Sequence, residues 1–128
     1  MNWLLAIAGI VSVLTTFGHF FVGRPRFLTP MLASEFDRIP KKMMHCVFHF
    51  ISVFLITSTA ILLWVGFGTR LDSGSVLLVR FISANFMGFA LWQVGLAVAS
   101  GIPNGVFKLF QWIFFVTISI CSFLGTLK

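Results

Sequence analysis

Apolar runs alternate with short polar stretches along the whole chain, occupying residues 3–22, 43–67, 76–100 and 106–124. The first two are uncharged, and the others hold one basic residue each, Arg80 and Lys108. Each run is close to the ~20 residues a helix needs to cross ~30 Å of hydrocarbon. None shows the two-residue alternation of a membrane barrel, and lipid offers no hydrogen-bond partner to the backbone of an open strand. The pattern predicts an all-α integral membrane protein, with four transmembrane helices in an up-and-down antiparallel bundle that forms one domain over residues 1–128. Short connections make consecutive helices antiparallel neighbours.

The punctuation between the runs agrees with this reading. Pro40 falls in the first turn of the second span, where a missing N–H costs least. Ser73 or Ser75 is predicted to cap the third span, Gly101 to end it and Asn104 to cap the fourth. The longer segment 23–42, GRPRFLTPMLASEFDRIPKK, separates the first two spans. Thr29 followed by Pro30 looks like a helix cap and first turn, which predicts a short interfacial helix through MLASEF. The N-terminal run lacks a preceding basic region and a small-x-small cleavage site, and it is too long for a signal peptide, so it is expected to be retained as the first span.

Composition and charge sharpen the class. The chain is 59% hydrophobic and only 9% charged, against roughly 25% charged in a soluble domain, and its mean hydropathy is +1.04. A net charge of +6 would point a soluble protein towards nucleic acid. Here five of the nine basic residues (Arg24, Arg26, Arg38, Lys41, Lys42) share segment 23–42. They read as a topogenic signal in contact with anionic lipid headgroups, with no nucleic-acid partner. Lys108 falls on the same side, whereas Arg70, Arg80 and Lys128 fall on the other. The balance predicts a multi-pass protein of the cell (inner) membrane with segment 23–42 in the cytoplasm and both termini extracytoplasmic. Arg80, about one turn into the third span, is expected to extend to the headgroups there.

Sorting each span at 100° per residue gives one polar or small-residue stripe per helix. The first span aligns Ala8, Ser12, Thr15, Thr16 and His19. The second aligns His45, His49, Ser52 and Thr59, the third Asn85, Gly88, Trp92 and Gln93, and the fourth Lys108, Gln111, Ser119 and Ser122. Helical rise puts His19, His49, Gln93 and Gln111 at one depth, about 5–10 Å inside the cytoplasmic interface. All three histidines therefore share a layer with two glutamines, which predicts a polar pocket in which His45 and His49 approach His19.

Such a layer has several chemical readings. Imidazoles and amides hydrogen-bond across membrane helices as modest structural glue. Three histidines, with Cys46 beside them, form a candidate site for a transition metal. His19 and a histidine of the second span are candidate axial ligands for haem b between helices, and proton transfer is a further reading. Gln93 and Gln111 would line the same pocket. Cys46 and Cys121 sit near opposite faces, roughly 20 Å apart in height, too far for a disulfide within the chain.

No span contains Asp or Glu, and the chain carries no nucleotide-binding loop or nucleophile–base pair. This composition argues against an enzyme. It predicts either an accessory subunit or ligand- or cofactor-binding bundle, or a small transporter or channel for a metal ion, proton or small solute. Transport would call for a homo-oligomer or a larger membrane complex, because one small bundle leaves little room for a path.

Overall fold

The computed structural model describes residues 1–68 and 71–127, so Arg70 and Lys128 lie outside the described residues. The described chain is all helix and turn. Helix α1 runs over Trp3–Ala33, α2 over Arg38–Phe67 and α3 over Ser73–Ala99, and each is long and apolar enough to cross a membrane. A four-residue helix α4 (Gly105–Lys108) and a shorter apolar helix α5 (Trp112–Gly125) complete the chain.

Two of these elements depart from the apolar runs. The first helix does not stop at residue 22. It continues through His19–Leu28 as π-helix, with Pro25 inside it, and returns to α-helix over Thr29–Ala33. Pro25 has no N–H to give to the carbonyl four residues back, and its ring would crowd that carbonyl in an α-helix. A wider winding relieves this crowding, so Arg24 and Arg26 belong to a continued helix and not to a loop. Thr29 makes no capping hydrogen bond, and the true turn is confined to residues 34–37. The fourth run is interrupted in turn: α4 ends at Lys108, and α5 begins at Trp112. The Trp112 Nε1–H donates to the Val106 carbonyl (3.0 Å), one of the acceptors this break leaves free. Helix α5 alone spans about 21 Å, short of a full hydrocarbon core.

The caps are met in part as expected. Pro40 stands in the first turn of α2. Asp72, not Ser73 or Ser75, caps α3 by accepting from the Ser75 N–H at 2.8 Å. Gly101 follows the end of α3 at a φ of 67°, where a side chain would be strained. Asn104 precedes α4, also at positive φ, without a side-chain cap.

Hydrogen bonds between helices fix their directions. Ser12 and Thr16 both bond Thr59 (2.6 and 3.1 Å), and His19 bonds Ser52 (2.9 Å), so α1 and α2 are antiparallel. Ser83 and Ser119 each donate to the other's carbonyl at 2.8 Å, and Gln93 bonds Gln111, so α3 and α5 are antiparallel. The Asn2 N–H reaches the Gly66 carbonyl and its side chain the Gly125 carbonyl, placing the start of α1 beside the ends of α2 and α5.

Glycine allows the closest approaches. A Cβ on Gly66 would lie 2.6 Å from the Ala6 amide nitrogen, and one on Gly125 would lie 2.6 Å from Leu5. By contrast, α2 and α3 meet mainly through long aromatic side chains, with Phe54 packing on Phe86 and Phe89 at 5.5 and 5.3 Å between ring centroids. The buried core joins Leu5, Leu55, Leu62, Val79, Phe86 and Ile118. The buried face of α3 is therefore Val79, Ile82, Ser83, Phe86 and Ala90, not the Asn85–Gly88–Trp92 stripe, whose Gly88 and Trp92 are exposed. Large apolar side chains cover the outside of every long helix.

Candidate functional site

The polar layer forms where α1 passes into its π-helical section. His19 is the first residue of that section and is half-buried. Its ring stacks on Phe48 at 4.0 Å between centroids and 18° between planes. The Ser52 hydroxyl donates its single proton to the Phe48 carbonyl (3.0 Å). It must therefore accept from His19 Nε2, which leaves Nδ1 as the acceptor of the neutral imidazole. This ring is oriented by stacking on one side and by a hydroxyl relay on the other.

A cavity of about 460 Å³ opens beside it, between α1, α2 and the start of α5. Aromatic rings dominate its wall, with Phe27, Phe48, Phe110, Phe114 and Phe115 all contributing. Thr15, His19 and Gln111 supply its polar points, and among the described residues His19 is its one ionisable lining residue. Gly18 also lines it, and a Cβ built on Gly18 meets nothing within 4 Å. A second hollow of about 640 Å³ shares Ile51, Gln111 and Phe115 with the first and is lined further by Gln93 and Trp92. Gln93 Nε2 donates to Gln111 Oε1 at 2.8 Å, while Gln93 Oε1 is buried with no hydrogen-bond partner. A buried carbonyl without a donor is costly, by about 1–3 kcal/mol, so this oxygen is an unspent acceptor on a residue that lines the second hollow.

The other predicted residues are not gathered into this site. His45 and His49 bond one another across one helical turn, Nε2 to Nε2 at 3.2 Å, and neither lines the cavity. His49 and Cys46 are exposed. Among the described residues, no three His, Cys, Asp or Glu side chains come together to hold a metal ion. Among the described residues a three-histidine metal centre is therefore not assembled. His45 is half-exposed and His49 exposed, so the α2 stripe that brings Ser52 and Thr59 onto α1 does not bury either histidine.

Periodicity did not single out Gly18, Phe27, Phe110 or Phe114 as site residues. The only signal was the spacing of Phe110 and Phe114 by one turn, in a chain with 17 phenylalanines. No protein-family model matches the chain, no curated protein matches it, and no solved structure matches it.

Proposed function

We propose that this protein is a non-enzymatic four-span bundle of the cell (inner) membrane that holds a small lipophilic molecule in the cavity beside His19. In this reading α4, its following turn and α5 together make the fourth crossing. Segment 23–42 lies on the cytoplasmic side among anionic headgroups, and both termini are extracytoplasmic. The observation that carries the reading is the aromatic-walled cavity with an oriented histidine at its edge. Ligand sites are typically apolar hollows of this size with a few placed polar groups.

The hydrogen-bond inventory narrows the ligand. The imidazole with Nε2–H donating to Ser52 offers the cavity an acceptor at Nδ1. An apolar molecule carrying a hydroxyl or N–H donor suits it, whereas a molecule with only acceptor groups does not.

The test uses the full chain purified in detergent, with organic extraction and mass spectrometry of what it retains. Wild-type protein is expected to release a hydroxyl- or amine-bearing lipophile near one per chain. Gly18→Leu should fill the cavity without a backbone clash and release it, and His19→Ala should weaken retention while the chain stays folded. Retention that is equal in wild type, Gly18→Leu and His19→Ala would show that the cavity is not the binding site.

A further inference from the structure

The opposite end of the bundle carries a second feature, independent of the cavity. Asn2 is bonded to Gly66 and Gly125, so the start of α1 and the ends of α2 and α5 lie at one level. Arg80 Nε donates to the Thr126 hydroxyl at 3.1 Å. Ser83 opposite Ser119 sets the Arg80 backbone about one turn deeper, so its side chain rises along α3 and carries the guanidinium to the bundle rim. Trp3 and Trp64, 69% and 74% exposed, mark the same height. Exposed tryptophans gather at the headgroup level of a bilayer.

The arginine is held in place at that height. Thr126, which accepts from Nε, donates its own proton to the Phe123 carbonyl at 2.7 Å. The guanidinium carbon lies 5.8 Å from the centre of the Phe123 ring, within cation–π range. This leaves the two terminal nitrogens as a donor fork. Among the described residues no acidic side chain is at hand to neutralise it. Of the three acidic residues in the chain, Glu35 and Asp37 belong to the other end of the bundle. Asp72 is engaged as the α3 cap, about 12 Å further along the axis.

Beneath the fork, α3 and α5 leave an open groove of about 440 Å³ between them, lined by Ala84, Met87, Ile120 and Leu124 as well as Arg80 and Phe123. From Arg80 to Met87 it follows the helix for about 10 Å into the hydrocarbon. A fixed guanidinium at headgroup height, with no acidic side chain beside it among the described residues and an apolar groove beneath, fits one occupant by charge and shape. We propose that this groove is a binding site for an anionic phospholipid, with the phosphate on the Arg80 fork and an acyl chain along Ala84, Met87 and Ile120. Guanidinium pairs bidentately with phosphate, which makes arginine and lysine unequal here.

The experiment is a thermal-unfolding series on the full chain in neutral detergent, adding dioleoyl phosphatidylglycerol, dioleoyl phosphatidylcholine or inorganic phosphate. Phosphatidylglycerol is expected to raise the unfolding midpoint of wild type more than phosphatidylcholine does, and phosphate alone to leave it unchanged. Arg80→Gln should abolish the lipid-specific part of the shift, and Arg80→Lys should reduce it. Ala84→Trp should block the chain groove and abolish it with Arg80 intact. Arg24→Gln/Arg26→Gln, at the other end, should retain it. Equal shifts from the two lipids, a shift with phosphate alone, or an unchanged shift in Arg80→Gln and Ala84→Trp would each overturn the proposal.

Discussion

At the scale of single residues, the bundle depends on where a side chain is absent. Gly66 lies against the backbone of Leu5 and Ala6, where an added Cβ would come within 2.9 Å of three backbone atoms. Backbone cannot swing aside as a flexible side chain can, so α1 and α2 would have to separate. Gly66→Ala is expected to destabilise the folded chain by about 1–3 kcal/mol, as overpacking does. Gly88→Ala has nothing within 4 Å of the new carbon and replaces a helix-interior glycine with a better helix former, so it should be neutral or slightly stabilising. Denaturant unfolding of the two variants in the same detergent compares them directly. Equal stability would mean that the close approach of α1 and α2 at this level is not rigid. The hydroxyl pairs act in the opposite sense, because Ser83 and Ser119 are buried yet exchange hydrogen bonds with each other's carbonyl. Such pairs satisfy polar groups that lipid would leave without a partner.

At the scale of elements, the start of α3 rests on an exposed carboxylate. The hydroxyl and backbone amide of Ser75 hold the Asp72 carboxyl below its usual range. Its folded-state value is thus lower than its unfolded one, so its stabilising effect is present above the unfolded value of about 3.9. That effect is lost as pH falls through the lowered folded value. The unfolding midpoint of wild type should therefore fall towards that of Asp72→Asn as the pH drops below about 4. A gap between the two proteins that is constant from pH 6 to pH 3 would exclude the linkage. This cap also marks how far the sequence is legible. The turn before α3 was evident from LDSG, but Asp72 competes with two serines for the cap, and local sequence does not rank them. Helix α2 was plain because charge is absent from residue 43 to the end of the helix, and α3 because Arg80 is its single charged residue. The end of α1 was not, because Pro25 reads as a breaker and π-helical winding absorbs it. The inward face of α3 was misread for a deeper reason. In lipid both the packed and the outer faces of a helix are apolar, so Val79, Ile82 and Phe86 carry no periodic contrast with Leu77, Phe81 and Leu91. The histidine layer was half legible: His19 and Ser52 meet as their depths require, while His45 and His49 bond one another and do not line the cavity.

At the scale of the whole molecule, the two ends differ in kind. One end gathers the α1–α2 turn, the basic segment and the aromatic cavity. The other gathers the start of α1, the end of α5 and the proposed lipid groove, so the two chain ends lie on one side of the bundle. An even number of crossings accounts for this shared side if α4 and α5 together make the fourth. If α5 with α4 crosses, residues 1 and 127 face the same compartment; if only the three long helices cross, they face opposite ones. The basic residues decide which compartment. Arg24, Arg26, Arg38, Lys41, Lys42 and Lys108 all lie at the cavity end, and positive charge is retained on the cytoplasmic side during insertion. A reporter pair fused after residue 128 should therefore show alkaline phosphatase activity and no cytoplasmic fluorescence. A cysteine placed at residue 2 should react with an impermeant thiol reagent added outside the cell, in a background lacking Cys46 and Cys121. Termini on opposite sides would reduce the protein to three crossings and make α5 an interfacial helix. Both termini inside would invert the bundle, and would place the cavity beside His19 in the outer leaflet and the Arg80 groove among cytoplasmic headgroups.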